Sequence, residues 1–205
     1  MRIQLTKAGK RFNRDWIFRN ADITFLPGET YAITGANGSG KSTLLQVLAG
    51  SMAISGGQIN WKNREKNIDP EEVFRYLTIA APYVEVIEEM TAIEFLNFHH
   101  RFKPLLPHVS IQEMLAIVGL EKAATKQIRY YSSGMKQRIK LAQAVFADAP
   151  LLLLDEPCTN LDSTGYELYH SLIATYTTNK TVVVSSNDVN EYSFCRHVIS
   201  IMDYK

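Results

Sequence analysis

Cysteine is scarce: only Cys158 and Cys195 occur, far apart and in no CxxC pattern. That excludes a disulfide scaffold and points to a reduced, cytosolic compartment. Long apolar runs are missing too. No stretch approaches the roughly 20 apolar residues that a membrane span needs, and the opening MRIQLTKAGK holds no apolar signal core. There is no surplus of charge. Twenty-two Lys and Arg face 21 Asp and Glu, a net charge of +1, so no global field attracts nucleic acid or anionic lipid. Histidines are few and scattered. His99 and His100 are adjacent and diverge on a helix, while His108, His170 and His197 form no metal-ligand spacing. Repeats and low-complexity tracts are absent. What remains is an ordinary mixture, 46% hydrophobic and 21% charged over 205 residues, which suits one domain with a sizeable core.

Short apolar runs predict strands at Ile3–Leu5, Ile23–Phe25, Tyr31–Thr34, Gln58–Trp61, Tyr76–Ala80, Leu151–Leu154, Val182–Ser185 and His197–Ile201. The late runs are nearly continuous rather than alternating. Such strands are buried on both faces, as in a parallel sheet covered by helices. From about Thr91 to Ala147 the pattern turns helical. Thr91-Ala-Ile-Glu94 and Ser110-Ile-Gln-Glu113 both fit capping boxes, and Gly119 suits a helix stop. Ile139, Ala142 and Val145–Phe146 share a helical face. Phe95, Phe98 and Phe102 read as core of the same region, and Cys158 as a small packing residue. The expected organisation is an α/β core over about 1–82 and 149–205, interrupted by a helical insert over about 83–148.

Residues 35–43 read GANGSGKST, with a strand before them and the helical run Leu44–Ala49 after. This is G-x-x-x-x-G-K-[ST] in the context it requires. The glycines let consecutive backbone N–H groups point inward, where they join the positive end of the helix in an anion cradle. Asn37, Gly38, Ser39, Gly40, Lys41, Ser42 and Thr43 are the expected triphosphate contacts. Lys41 supplies charge to the β- and γ-phosphates, and Ser42 offers a hydroxyl to Mg²⁺. Leu151–Leu154 then lead into Asp155 and Glu156. An Asp at that strand end can hold Mg²⁺ through water, and the adjacent Glu can orient and deprotonate an attacking water. In YSSGMKQR, residues 131–138, Ser132 and Ser133 are good helix caps and Gly134 permits close backbone approach. Lys136 and Arg138 add positive potential there.

GANGSGKST, YSSGMKQR, LLLLDEP and TNLDS occur in one order and spacing. Over nearly its whole length the chain resembles an ABC-transporter ATPase subunit, with YSSGM in the place of the LSGGQ signature and Asn160-Leu161-Asp162 in that of the D-loop. The resemblance implies an α/β, RecA-like P-loop core with a mostly parallel sheet, an N-terminal antiparallel β-subdomain and an inserted α-helical subdomain. It implies ATP and Mg²⁺, the latter on Ser42 and Asp155. It also implies a homo- or heterodimer, in which Ser132 and Gly134 of one subunit contact the triphosphate on the other's phosphate loop. The family stacks an aromatic on adenine. Phe12 lies at the fitting distance, with Trp16 the alternative, and packing against the first strands the competing role for either.

Two positions depart from the family. Its Mg²⁺-binding glutamine, which moves with the membrane partner, aligns with Ala81, and no glutamine occurs from Trp61 to Pro107. One of Glu85, Glu88 and Glu89 could supply the missing oxygen, or the three could form an acidic loop facing water or the partner. The family's γ-phosphate histidine aligns with Asn187, in VVVSSND. An amide donates a hydrogen bond but carries no charge. Lys41, Asp155 and Glu156 are retained, so the expectation is a working, slow ATPase. It would serve a separate transmembrane permease at the cytoplasmic face of the membrane, with no nucleic acid partner. The alternative is a non-transport ABC clamp of low turnover. EEMTAIEFLNF loosely resembles the short haem-export ATPases of cytochrome c maturation.

Overall fold

A computed structural model describes residues 1–205. Alternation of apolar and polar residues builds its first sheet. Strand β1 (Arg2–Phe12) turns back into β2 (Asp15–Phe25), with Asn13 in the left-handed region at the turn (φ 53°). Strand β3 (Thr30–Thr34) and helix α1 (Lys41–Leu48) follow before the chain returns as β4 (Gly56–Asn63) and β5 (Lys66–Ile68). The antiparallel order is β2–β1–β4–β5. Ile3 pairs with Phe25 and Trp61, and Leu5 with Ile23 and Ile59. One face is therefore apolar, and the period of two leaves Arg2, Gln4, Thr6 and Lys62 on the other. Trp61 anchors this sheet to α1 by donating its indole N–H to Leu48 O at 2.9 Å.

The second sheet holds the late apolar runs. Strands β7 (Leu151–Asp155), β8 (Thr181–Ser185) and β9 (His197–Ser200) join β3 in the parallel order β7–β8–β3–β9. Leu151–Leu154 and Val182–Val184 are fully buried, as continuous apolar strands in a parallel sheet must be. The polar residues after the valines lie at the strand's C-terminal end. Asp188 there caps the one-turn helix α6 (Val189–Tyr192) by accepting from Asn190 N–H.

The chain divides into two compact units, one of residues 1–77, 150–156 and 179–205, the other of 78–149 and 157–178. Strand β6 (Leu77–Ala80) carries the chain from the first into the second. The second unit is helical: α2 (Ala92–His100), α3 (Ile111–Ile117), α4 (Ser133–Val145) and α5 (Ser163–Tyr176). Both capping boxes are formed. Thr91 Oγ1 accepts from Glu94 N–H at 3.3 Å while Glu94 accepts from Thr91 N–H at 2.8 Å. Ser110 and Glu113 repeat the exchange at 3.2 and 2.8 Å. Gly119, with φ +68°, follows the end of α3.

Two aromatics expected in this core are outside it. Phe95 is buried, but Phe98 and Phe102 are 41% and 68% exposed and meet only edge to face at 5.2 Å among ring pairs. The buried stripe of α2 is Ala92, Phe95 and Leu96, continued by half-buried His99 on the same i, i+3, i+4, i+7 face. Phe98 falls beside that stripe, and α2 ends before Phe102. Burial lowers the His99 pKa, with the Lys103 and His100 charges acting in the same direction.

Candidate functional site

The phosphate loop joins β3 to α1. Gly40 has φ +104°, and a Cβ there would lie 2.2 Å from Ile17 Cγ2, so any other residue would be strained and would displace the Ile17 side chain. Helices α2 to α5 each begin on a side-chain cap, from Thr91, Ser110, Ser132 and Asp162. Helix α1 has none, and no carboxylate in its first turn. Its leading N–H groups are thus left to an external acceptor, and the helix dipole favours an anion.

Lys41 is 5% exposed. Its ammonium donates to Gly35 O at 2.9 Å and Ala36 O at 3.4 Å. Those partners are neutral, so the charge remains available to a phosphate. Around the loop lies an open cleft of about 220 Å³, lined by Ile17, Asn37, Gly38, Gly40, Lys41, Ser42, Thr43 and Glu156.

The acidic strand end belongs to the same unit. Asp155 is 2% exposed and its Oδ1 has no hydrogen-bond partner; Ser39 Oγ and Ser185 Oγ share that condition. A buried carboxylate oxygen without a donor is costly unless a cation meets it. Asp155 and the Ser42 hydroxyl are hard oxygen donors of the kind that could hold Mg²⁺. Glu156 has φ +46°, a conformation that costs a non-glycine about 1 kcal/mol or more. Its N–H donates to Ser185 O at 2.9 Å, which holds the turn and places the side chain on the cleft.

Asn187 grips the loop. Gly35 N–H donates to Asn187 Oδ1 at 3.3 Å, and Asn187 Nδ2 donates to Asn37 Oδ1 at 2.9 Å. Because Gly35 N–H can only donate, the amide oxygen must face it, and the NH₂ group is turned to Asn37.

Sequence reasoning missed two residues here. Ile17 lines the cleft, whereas neither Phe12 nor Trp16 does. Phe12 is 46% exposed under the Lys10 ammonium, and Trp16 packs towards Gly9 and Gly56. Lys205 donates to Ser39 O at 2.5 Å and Ile17 O at 2.8 Å, tying β2 to the phosphate loop. No motif marks either residue.

In the second unit, Ser132 caps α4 by accepting from Met135 N–H at 3.2 Å. A Cβ on Gly134 would lie 3.2 Å from Asn160 O, which shows how closely the signature backbone approaches the Asn160–Asp162 turn. The positive potential expected from Lys136 and Arg138 is balanced instead. Lys136 pairs with Glu88 at 2.5 Å, and Arg138 lies 3.7 Å from Asp162. Hydrogen bonds from Thr164 and the Gly165 N–H, with help from Arg138, hold the Asp162 carboxyl below its usual range. Ala81 is buried and supplies no ligand oxygen. Glu88 is engaged by Lys136 and Glu89 by Arg129, at 2.5 and 3.6 Å. No helix is long and apolar enough to cross a membrane.

The family described as ABC transporter matches residues 18–159. Among curated proteins, the uncharacterized ABC transporter ATP-binding protein YxlF of Bacillus subtilis is 39% identical over 159 residues, 76% of this chain and 52% of that protein. The chain thus spans about half the length of that relative. The cytochrome c biogenesis ATP-binding export protein CcmA of Rhizobium meliloti is 31% identical over 91% of this chain and 90% of its own length. Among solved structures, the dimeric bacterial ABC transporter cassette MJ0796 aligns with a TM-score of 0.82 at 26% identity, over 97% of this chain and 93% of that one. A putative ABC transporter ATP-binding protein from Pyrococcus furiosus, 17% identical, shares the fold over both full lengths with a TM-score of 0.83. A phosphate loop on an uncapped helix, an acidic strand end and a capped signature helix are thus joined by matched sequence: the chain belongs to the ABC transporter family, as one of its ATP-binding proteins.

Proposed function

We propose that the chain binds Mg²⁺–ATP in the cleft on α1, hydrolyses it, and drives a separate membrane permease from the cytoplasmic face. The observation that carries this reading is the unpartnered Asp155 Oδ1 in the unit that holds the uncapped phosphate loop. In this reading the N–H groups of residues 37–43 cradle the β- and γ-phosphates. Lys41 exchanges its loop carbonyls for phosphate oxygens. Ser42 and Asp155 would hold Mg²⁺, Asp155 through water, and the ion when bound neutralises phosphate charge. Glu156, pre-set by its left-handed backbone, orients the attacking water and takes its proton. Asn187 lends the γ-phosphate a neutral hydrogen bond. Ile17 flanks the nucleotide, and Phe12 is the candidate to stack on adenine if its hairpin moves.

Two copies, or one copy and a homologous chain, would close on ATP. Ser132 and Gly134 of one would then complete the site of the other. The relative MJ0796 was solved as a dimer, which supports this arrangement. Relatives named export proteins support an exporter as the partner. Ala81 and Asn187 remove one oxygen ligand and one charge from the family's set, which favours slow turnover. Phosphate release by the purified chain, alone and with a co-purifying permease, tests the reading. Mg²⁺-dependent release that is lost in Glu156→Gln supports it. ATP binding with no release in either preparation would favour the low-turnover clamp.

A further inference from the structure

The segment after Ala81 is strapped to the signature helix. Lys140 Nζ donates to Pro82 O at 3.4 Å, and Lys136 Nζ to Glu88 Oε1 at 2.5 Å. Arg129 N–H donates to Glu88 O and Ile128 N–H to Met90 O, both at 2.9 Å. The Gln127 amide donates to Glu89 O at 2.9 Å. Residues 82–90 are therefore fastened both to α4 and to the turn that feeds it. Lys136 and Lys140 stand one turn apart and repel, and the Glu85 field acts on Lys140 against that repulsion. Lys136 also lies one turn from the cap, its N–H bonded to Ser132 O at 2.9 Å. The Glu88–Lys136 joint thus sits on the first turn of the signature helix.

Side-chain exposures of 28% and 46% make this pair a weak source of stability. Its value is geometric. A displacement of segment 82–90 reaches Ser132 through one ion pair and one helical turn. We infer that Glu88 and Lys136 are positioning residues that couple the segment following the glutamine's position to the signature contacts Ser132 and Gly134. The inference rests on the proposed ATP-closed dimer.

The test uses the full chain with Glu156→Gln as parent, to arrest hydrolysis, and reads ATP-driven dimerisation by analytical ultracentrifugation. Each dimer contains two joints, so a loss of about threefold per joint becomes about tenfold in the dimer dissociation constant. Glu88→Lys and Lys136→Glu should each weaken the dimer by about that factor. The double reversal should return it to within about twofold of the parent. A fluorescent ATP analogue, measured below the dimerisation range, should bind all variants alike, because the phosphate loop is in the other unit. Glu88→Gln, which removes charge without reversing it, should give an intermediate loss and guards against misfolding. Unchanged dimerisation in the reversals, or a double variant as weak as the singles, overturns the coupling while leaving the dimer reading intact. A parent that binds ATP yet never dimerises overturns both.

Discussion

Asp155→Asn should make the nucleotide-free protein more stable while removing its response to Mg²⁺–ATP. The substitution keeps volume and shape but removes a charge that is 2% exposed, with one oxygen lacking any donor. Leaving such a group unmatched costs on the order of several kcal/mol. An amide in its place still needs partners, so we take a net gain of about 2 kcal/mol. For a chain of this size, each kcal/mol moves the melting temperature by about 2–4 °C, which gives a rise of about 4–8 °C. Saturating ligand at about 100 times its Kd adds about 2.7 kcal/mol to a protein that binds it. The unsubstituted chain should therefore gain about 5–10 °C with Mg²⁺–ATP, and the variant far less. Thermal unfolding with and without ATP and Mg²⁺, each alone and together, gives all of these values. A variant that melts lower than the parent without nucleotide would show that the carboxylate is already satisfied, and would refute the assignment of Asp155 as a cation-seeking group.

Three more outcomes are expected. Glu156→Gln should reduce phosphate release by about 100-fold or more while leaving nucleotide binding within a few-fold, measured by steady-state release and equilibrium binding. Asn187→His replaces a neutral donor with one that can carry charge, so kcat should rise by about fivefold; no change in kcat or ATP affinity would remove Asn187 from the site. Backbone hydrogen bonds from Thr91 and Ser110 hold the Glu94 and Glu113 carboxyls below their usual range. The stabilisation from these boxes is therefore present above the unfolded carboxylate value and is lost as pH falls through the lower folded values. The Glu94→Gln/Glu113→Gln double variant should accordingly show a shallower loss of melting temperature on acidification than the parent does.

The parts of the fold that follow from local chemistry were legible. The runs Tyr31–Thr34, Tyr76–Ala80, Leu151–Leu154, Val182–Ser185 and His197–Ile201 match strands to within a residue, because burial dictates their composition, whereas Ile3–Leu5 and Ile23–Phe25 mark only three of the 11 residues in each of β1 and β2. Capping boxes were readable because donor and acceptor are three residues apart. Strand β5 was not, since three residues, Lys66–Ile68, hold too little pattern. Helix α5 was readable and went unread: Asp162 caps it, and Tyr169, Leu172 and Ile173 form its buried stripe. The loop chemistry was also local. What could not be read were partners brought together by the tertiary fold. Asn187 meets Asn37 across 150 residues of chain, and Lys205 meets Ser39 across 166. Lys136 looked like free positive charge until folding set Glu88 against it.

The first unit buries a cation satisfied only by carbonyls, Lys41, and an anion with an open oxygen, Asp155. Neither charge neutralises its partners, and each calls for the opposite sign. A nucleotide without its metal would answer Lys41 and leave Asp155 unanswered, and a free metal ion would do the reverse. The chelate, with negative phosphate and positive metal in one body, answers both. On the proposed Mg²⁺–ATP reading, a preference for the metal complex over bare nucleotide would rest on these two unmatched charges rather than on the shape of the base.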